Sequence, residues 1–346
     1  MENEQNTSRV EAQPPRGRRL VVALPALNED RTIADVISRI SRELPGVDEV
    51  EILVIDDGST DDTARVAERA GARVISHRAQ RGVGGAFHTA LRESIETNAD
   101  LLVTIDADGQ FDPGDIPQLI EPVLAGHADF TTASRFVDPA LTPQMPPVKL
   151  WGNRRMAALL SRLTGQRLND VSCGMRCYNR RSMRNLHLLG GFTYTQEVIL
   201  NLSFKGLRIV EVPIRVRGER SFGESRVANN LWRYALRSST IIFRAYRDYR
   251  AMHLFGLLAA TLMVPGLLLE IFFLGHYLAT GSFSPHKWAG MTGAGLAVLA
   301  LLLFLMGMIG DMMNRHRVYL EELLYEQRRG LAREESNASV RDSEPH

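Results

Sequence analysis

Cysteine is nearly absent from this 346-residue chain, which contains two, Cys173 and Cys177. Three residues separate them, and no further cysteine can pair with either. A structural zinc site takes four Cys or His ligands, and His187 is poorly spaced to help complete one. A disulfide framework and a zinc finger are therefore excluded, and we expect reduced thiols in a cytosolic domain.

An excess of charge of one sign is also absent, because 41 Lys and Arg side chains balance 40 Asp and Glu. The net charge therefore says little about partners. We expect no nucleic-acid partner. The distribution of charge is uneven, since acids gather early in the chain and Arg dominates residues 154–250.

A secretory signal and an internal repeat are missing as well. Residues 1–18 are polar, contain proline and lack an apolar core, so we expect a disordered tail and no signal peptide. Residues 334–346 have the same character and lead to the same expectation.

The chain does contain a regular alternation of predicted strands and helices. Apolar runs predict strands at residues 19–24, 50–55, 73–76, 101–105 and 129–133. Helices are predicted at residues 30–43, 61–70, 82–97 and 115–125. This order predicts an α/β domain over residues 19–227 with a doubly wound, mostly parallel sheet.

Two long apolar segments follow within residues 253–312. Residues 254–278 contain one acid, Glu270, and residues 288–310 contain no charged side chain. At ~1.5 Å per residue, each can cross a hydrocarbon core of ~30 Å as a helix. We therefore predict two transmembrane helices, with Glu270 facing either the second helix or another subunit.

The link between these helices, residues 279–287, is short and requires an antiparallel hairpin. Arginines flank both outer ends of the hairpin, and the link carries only Lys287. The positive-inside bias predicts a multi-pass protein of the cell membrane, with the α/β domain and a tail of residues 313–346 in the cytoplasm. Small residues in both segments would allow a homo-oligomer.

Residues 228–252 form a predicted amphipathic helix between the two parts. Four arginines share one stripe of this helix, and tyrosines lie elsewhere on its surface. This combination is typical of a helix at an anionic lipid headgroup layer, and the alternative is a solvated helix packed on the domain. We expect the lipid membrane to be a partner of this segment.

Two clusters of carboxylates follow two of the predicted strands. Residues 56–63 begin with Asp56 and Asp57, and Asp106 and Asp108 follow the strand at residues 101–105. Open α/β sheets bind ligands at the carboxyl ends of their strands. Two carboxylates one residue apart can hold a hard divalent cation, which in turn binds phosphate oxygens. A turn that caps the next helix is the structural alternative.

Several motifs together resemble the family 2 glycosyltransferases of GT-A fold. They are PALNE at 25–29, DDGSTDDT at 56–63, DADGQ at 106–110 and ASRF at 133–136. The segments DVSCGMR at 170–176, QEV at 196–198, VPI at 212–214 and RSFGESR at 220–226 are similar to the polyprenyl-phosphate sugar synthase branch. The resemblance covers residues 20–226.

The resemblance implies a nucleotide pocket and a site for Mg²⁺ or Mn²⁺ at the strand ends. The implied nucleotide-binding residues are Pro25, Leu27, Glu29, Asp57 and Asp106. The implied metal ligands are Asp106, Asp108 and Gln110. Asp56 could instead support its loop, Asp61 could cap a helix, and the glycine-rich segment 82–85 could serve either phosphate binding or structure.

The resemblance also implies a cationic acceptor site. The implied catalytic residues are Asp108, Arg135 and Arg220. The implied ligands of the acceptor phosphate are Arg135, Arg154, Arg220, Ser225 and Arg226. Arg226 stands where the branch has Lys. Asp170 and Glu197 are either acceptor-side or structural residues.

The expected activity is inverting, metal-dependent transfer of a sugar from a nucleoside-diphosphate sugar to polyprenyl phosphate at the cytoplasmic membrane face. A lipid phosphate is already anionic and needs no protein base, which suits a site rich in Arg without an obvious catalytic His. The alternative is a family 2 transferase that acts on a glycolipid or polysaccharide hydroxyl, which would need a catalytic carboxylate as general base.

Overall fold

The structure, a computed structural model, describes residues 17–186, 194–217 and 250–341, together with positions 240, 243, 246 and 247. Several predicted features lie outside the described residues. These are most of the tail at residues 1–18, most of the amphipathic segment 228–252, and the residues Arg220, Ser225 and Arg226.

A seven-stranded sheet organises the first part of the chain. Its strands are β1 (Arg19–Ala26), β2 (Glu49–Asp56), β3 (Arg73–Ser76), β4 (Leu101–Thr104), β5 (Phe130–Ser134), β6 (Arg176–Asn179) and β7 (Ile209–Pro213). The spatial order is β3-β2-β1-β4-β6-β5-β7, and β6 runs antiparallel to both of its neighbours. The other pairs are parallel, so the predicted doubly wound, mostly parallel sheet is confirmed.

Helices cover both faces of this sheet. They are α1 (Ile33–Ser38), α2 (Thr63–Arg69), α3 (Gly82–Glu96), α4 (Ile116–Leu124), α5 (Pro147–Thr164), α6 (Arg180–Asn185) and α7 (Thr195–Phe204). Leu20, Val22 and Leu24 of β1 contribute to one buried cluster, while Val21 and Ala23 contribute to the other. Burial on both faces explains why the central strands are continuous apolar runs.

Helix α1 is shorter than the predicted helix at residues 30–43. It ends at Ser38, although Ile40 and Leu44 beyond it are buried. These two side chains keep a helical spacing in the sequence, but Ile40 packs against the core from a bend and Leu44 from a β-bridge with Val47. The predicted helical pattern therefore records core contacts and overstates the length of the helix.

Two long helices, α8 (Ala251–Thr280) and α9 (Lys287–Arg341), form an antiparallel pair. Close approaches run in opposite directions along them: a Cβ added at Gly310 would lie 2.7 Å from Ala251 Cβ, and one at Gly290 would lie 2.7 Å from Phe273. Only 11% and 17% of their most apolar windows are buried within the structure. Helices in the core of a soluble domain would be largely buried, so these two have the length, composition and exposure of membrane spans.

Two details of this helix pair concern the direction of Glu270 and the length of the second helix. Glu270 faces the second helix, because a Cβ added at Gly293 would lie 2.9 Å from Glu270 Oε1. Helix α9 continues past the apolar segment to Arg341, where we expected a disordered end from residue 334 onward.

Candidate active site

Three loops meet at the carboxyl ends of β1, β2 and β4, since Ala26 pairs with Asp56 and Ala23 with Thr104. The loop after β1 is fastened to the loop after β2. The Asn28 N–H donates to Ser59 Oγ (2.9 Å), and the Thr60 N–H donates to Asn28 Oδ1 (2.8 Å). Pro25, Leu27 and Glu29, the predicted nucleotide-binding residues of β1 and its loop, are partly exposed at this edge.

Asp57, the predicted nucleoside carboxylate, is buried and bonded within the chain. Its Oδ1 accepts from the Arg81 N–H (2.8 Å) and its Oδ2 from the Gly82 N–H (2.7 Å). His77 Nδ1 lies 2.8 Å from the same Oδ1, and His77 Nε2 lies 2.9 Å from Thr89 Oγ1. Asp57 therefore anchors the start of α3, and the first amide of the glycine-rich segment, that of Gly82, already has an acceptor.

The other acids of this cluster have structural partners too. Asp56 Oδ1 accepts from the Ser59 N–H (2.9 Å), which holds the loop after β2. Asp61 Oδ1 accepts from the Thr63 N–H (3.0 Å) at the start of α2, but the N-cap residue of that helix is Asp62, so Asp61 lies one residue before the expected cap position.

The predicted metal carboxylates lie on the loop that follows β4. Asp106 is half-buried, and Asp108 is 2% exposed. The Gln110 N–H donates to Asp108 Oδ1 (3.0 Å), which fixes the direction of that carboxylate. Two hard oxygen donors on one loop fit a Mg²⁺ or Mn²⁺ ion whose remaining ligands are diphosphate oxygens and water.

Within the described part of the chain, no group of three or more His, Cys, Asp or Glu side chains is placed to hold a metal ion. Asp106 and Asp108 would be only part of a ligand set. Mg²⁺ is typically held by one or two carboxylates together with substrate phosphates, so this donor set fits a metal that binds with the nucleotide.

Gly174 packs directly against the carboxylate of Asp106. A Cβ added at Gly174 would lie 2.7 Å from Asp106 Oδ2 and 3.0 Å from Oδ1. Thr104 Oγ1 donates to the Gly174 carbonyl (2.8 Å), which holds this close approach. The sequence motif at 170–176 contained Gly174, but only the structure shows that a side chain at this position would meet the Asp106 carboxylate.

Gln110 connects the Asp106–Asp108 loop to Arg217, which lies beyond β7. The Arg217 N–H donates to the Gln110 carbonyl (3.0 Å), and Gln110 Nε2 donates to the Arg217 carbonyl (3.3 Å). Arg217 is the last described residue of this stretch, and these two hydrogen bonds hold it against the Asp106–Asp108 loop. The side-chain amide of Gln110, a predicted metal ligand, is engaged in this contact.

Arg135 forms a two-point ion pair with Asp170. Arg135 Nε lies 2.6 Å from Asp170 Oδ2, and Arg135 Nη2 lies 2.9 Å from Oδ1. The Asp170 side chain is fully buried and that of Arg135 is 19% exposed. The planar guanidinium of Arg135 therefore has a fixed direction at the carboxyl end of β5.

Further contacts hold this ion pair in place. Glu211 accepts from the backbone N–H groups of Asn169 (2.9 Å) and Asp170 (2.6 Å), and burial raises the pKa of its carboxyl. Arg135 Nη2 also donates to Ser172 Oγ (3.0 Å), which in turn donates to Asn153 Oδ1 of α5 (3.1 Å). The loop at 169–172 thus connects β5, β7 and α5.

Helix α5 carries Arg154, the other predicted ligand of the acceptor phosphate within the described residues. Arg154 is exposed, and it follows Asn153 in the chain. Trp151 is 62% exposed and Val148 is 66% exposed, while the Arg155 guanidinium lies 5.5 Å from the Trp151 ring centre. Apolar side chains among arginines give this helix the surface expected for an anionic lipid interface.

Comparison with known proteins identifies the class. The Glycosyl transferase family 2 domain matches residues 21–186. An undecaprenyl-phosphate mannosyltransferase of Micrococcus luteus is 30% identical over 227 residues, 62% of this chain and 89% of that protein. A dolichyl-phosphate hexose transferase of Haloferax volcanii is 31% identical over 208 residues, 60% of this chain and 86% of that protein.

A solved structure agrees with these sequence relatives. Glucosyl-3-phosphoglycerate synthase of Mycobacterium tuberculosis, bound to Mn²⁺, UDP-glucose and phosphoglyceric acid, superposes with a TM-score of 0.53. It is 26% identical, and the match covers 66% of this chain and 80% of that chain. The chain therefore belongs to the family 2 glycosyltransferases, and the predicted GT-A fold and enzyme class are confirmed.

Proposed function

We propose that this enzyme transfers one sugar from a nucleoside-diphosphate sugar to polyprenyl phosphate, with inversion at the anomeric carbon. An oxygen of the lipid phosphate attacks the anomeric carbon and forms the new carbon–oxygen bond. The bond from that carbon to the nucleoside diphosphate breaks, and the diphosphate leaves with the electron pair. The names of the sequence relatives, which include undecaprenyl-phosphate and dolichyl-phosphate transferases, support this acceptor class.

The observation that carries the proposal is the ion pair of Arg135 with Asp170. A hydroxyl acceptor would need a carboxylate that takes its proton, and a buried Asp170 held by Arg135 is poorly suited to that role. An anionic phosphate acceptor needs cations instead. Arg135 supplies one at the carboxyl end of β5, and Arg154 lies beside Asn153, which contacts the same loop through Ser172.

On the donor side, Asp106 and Asp108 would hold Mg²⁺ or Mn²⁺, which would neutralise charge on the departing diphosphate. Pro25, Leu27 and Glu29 would line the nucleoside pocket beside them. Asp57 would contribute by fixing the start of α3, since its oxygens bind Arg81 and Gly82. We assign Arg220, Ser225 and Arg226, which lie outside the described residues, to the acceptor phosphate, because the segment 220–226 is similar to that of the polyprenyl-phosphate sugar synthases.

The membrane arrangement belongs to the same proposal. Helix α8 and the apolar part of α9 would cross the bilayer as a hairpin, with the catalytic domain on the cytoplasmic side. The amphipathic segment 228–252 would lie at the headgroup layer and bring the domain to the lipid phosphate.

A donor screen tests this function. The full chain in lipid vesicles is incubated with short-chain polyprenyl phosphate, Mn²⁺ and a panel of nucleotide sugars, and lipid products are read by mass. We expect a hexose or N-acetylhexosamine adduct from at least one donor, and its loss in excess chelator and in Asp108→Asn. Full transfer in excess chelator would exclude the metal role, and no adduct from any donor would contradict the proposal.

A further inference from the structure

Thr32 makes a contact that its position in the chain does not predict. It directly precedes α1, where a Thr side chain usually caps the helix, yet its hydroxyl makes no capping hydrogen bond. Instead, Thr32 Oγ1 donates to the Ala107 carbonyl over 2.8 Å, across 75 residues of sequence. Thr32 is 6% exposed, so this hydrogen bond is shielded from water.

Ala107 is the residue between the two predicted metal carboxylates. Its carbonyl belongs to the peptide that joins Ala107 to Asp108, so the hydrogen bond from Thr32 fixes the plane of that peptide. Asp106 is the residue directly before Ala107. Ala107 is itself 2% exposed, so water cannot readily replace Thr32 as the partner of this carbonyl. Loss of this hydrogen bond would release the backbone of the loop that carries both carboxylates.

Thr32 also reaches back to the nucleotide side of the site. Its Oγ1 lies 3.3 Å from Glu29 Oε2 and 3.3 Å from the Glu29 carbonyl. A hydroxyl has one proton, and the shortest of the three contacts is the one to Ala107. The same hydroxyl therefore touches a residue of the predicted nucleoside pocket and the peptide between the predicted metal ligands.

We propose that Thr32 is a positioning residue that sets the geometry of the Asp106–Asp108 loop and couples it to the nucleotide loop at Glu29. This proposal rests on the proposed metal function of that loop. Residues that orient metal ligands through hydrogen bonds typically change metal affinity by about 10- to 100-fold when they are altered. Removal of the Thr32 hydroxyl should therefore weaken the binding of the metal ion while the protein still folds.

The chain offers a closely matched set of variants. Thr32→Val keeps the shape and removes the hydroxyl, whereas Thr32→Ser keeps the hydroxyl and removes a methyl group. Thr131→Val is the control, because Thr131 Oγ1 also makes a buried hydrogen bond to a carbonyl, that of Leu119 (2.7 Å), within the core. Thr131→Val reports what this substitution does to the protein when it lies outside the site.

Binding of Mn²⁺ to the full chain in detergent is measured with UDP or GDP present. The readout is the electron paramagnetic resonance signal of free Mn²⁺. We expect Thr32→Val to weaken Mn²⁺ binding about 10- to 100-fold. Thr32→Ser and Thr131→Val should remain within about threefold of wild type, since a shift of that size is below what a lost ligand-orienting contact causes. Circular dichroism melts check folding, and Thr32→Ala replaces Thr32→Val if the latter unfolds.

The outcomes separate this proposal from the function on which it rests. If the wild type binds Mn²⁺ and Thr32→Val binds it equally well, the role of Thr32 is wrong and the metal site stands. The role is equally wrong if Thr32→Ser loses as much affinity as Thr32→Val. If the wild type and Asp108→Asn both fail to bind Mn²⁺ with either nucleotide, the metal function itself fails.

Discussion

Arg135 and Asp170 hold each other through two parallel contacts of 2.6 and 2.9 Å, although 35 residues separate them in the sequence. The fully buried carboxylate fixes a guanidinium at the carboxyl end of β5. Because the Asp170 carboxylate is engaged in this ion pair, it orients the Arg135 guanidinium and is poorly suited to act as a general base. The choice between a phosphate and a hydroxyl acceptor depends on this relationship.

Asp170→Asn should therefore impair both stability and transfer. Removal of one partner from a buried ion pair costs about 3 kcal/mol or more, because it leaves the other charge uncompensated. Misplacement of Arg135 should slow transfer by up to about a hundredfold. Urea unfolding and initial transfer rates measure the two effects.

Asp129→Asn is the control for that variant. Asp129 pairs with Arg208 at the amino end of β5, and the Arg208 side chain is 58% exposed. Its loss should cost less stability and leave the transfer rate near that of wild type. Equal losses of transfer rate in both variants would mean that Asp170 has no specific role at the site.

Gly174→Ala should damage the metal site while the fold persists. The added methyl group would meet the carboxylate of Asp106 at 2.7 Å, so Asp106 must turn away. We expect the Mn²⁺ concentration for half-maximal transfer to rise about tenfold or more. Gly152→Ala on the exposed side of α5 is the control, since no atom lies within 4 Å of its added Cβ. An unchanged Mn²⁺ requirement in Gly174→Ala would remove Asp106 from the metal site.

The membrane topology can be tested by labelling a cysteine placed at Ser282 in the link between the two helices. The native thiols should not interfere. Cys173 and Cys177 are buried, and burial raises the pKa of Cys173 to about 12 and raises that of Cys177 as well. The reactive thiolate is therefore scarce at pH 8, and wild type should label only after unfolding.

A membrane-impermeant maleimide should then label Ser282→Cys from the outside of intact cells, and wild type should remain unlabelled. This result is expected because arginines flank the outer ends of the hairpin and the link carries one Lys. Labelling that requires opened cells would place the link in the cytoplasm and reverse the proposed orientation of the catalytic domain.

Arg220→Ala tests the proposed contact between Arg220 and the acceptor phosphate. A charge-assisted hydrogen bond to phosphate contributes ~1.5–3 kcal/mol, so transfer should slow by roughly ten- to a hundredfold. Arg220→Lys should recover part of the rate, since the charge survives and the planar fork is lost. Arg215→Ala, an exposed arginine shortly before it in the chain, is the control. A neutral Arg220→Ala would contradict the assignment.

The sequence predicted the parts of the fold that local patterns encode. The first five strands carry apolar runs, and the strand ends correctly placed Asp106 and Asp108 on the loop after β4. The antiparallel β6 has four residues, Arg176–Asn179, with neither an apolar run nor a clear alternation. Its pairing with β4 and β5 comes from tertiary contacts, which a single sequence does not reveal.

The site shows the same division. Residue types and spacing predict a set of candidate acids and arginines, but they do not predict what each side chain contacts. Asp57 is bound by amides 24 and 25 residues later, and Thr32 by a carbonyl 75 residues later. Such partners are set by how loops meet at the sheet edge. Sequence reasoning therefore proposes the residues of the site but does not predict the contacts that support them.

The most direct test of the central claim compares two acceptors that differ only in a phosphate. Initial transfer rates are measured with a short-chain polyprenyl phosphate and with the matching polyprenol, using the donor found in the screen and saturating Mn²⁺. We expect rapid transfer to the phosphate and none above background to the alcohol. Equal transfer to the alcohol would contradict a phosphate acceptor and would favour a hydroxyl acceptor in its place.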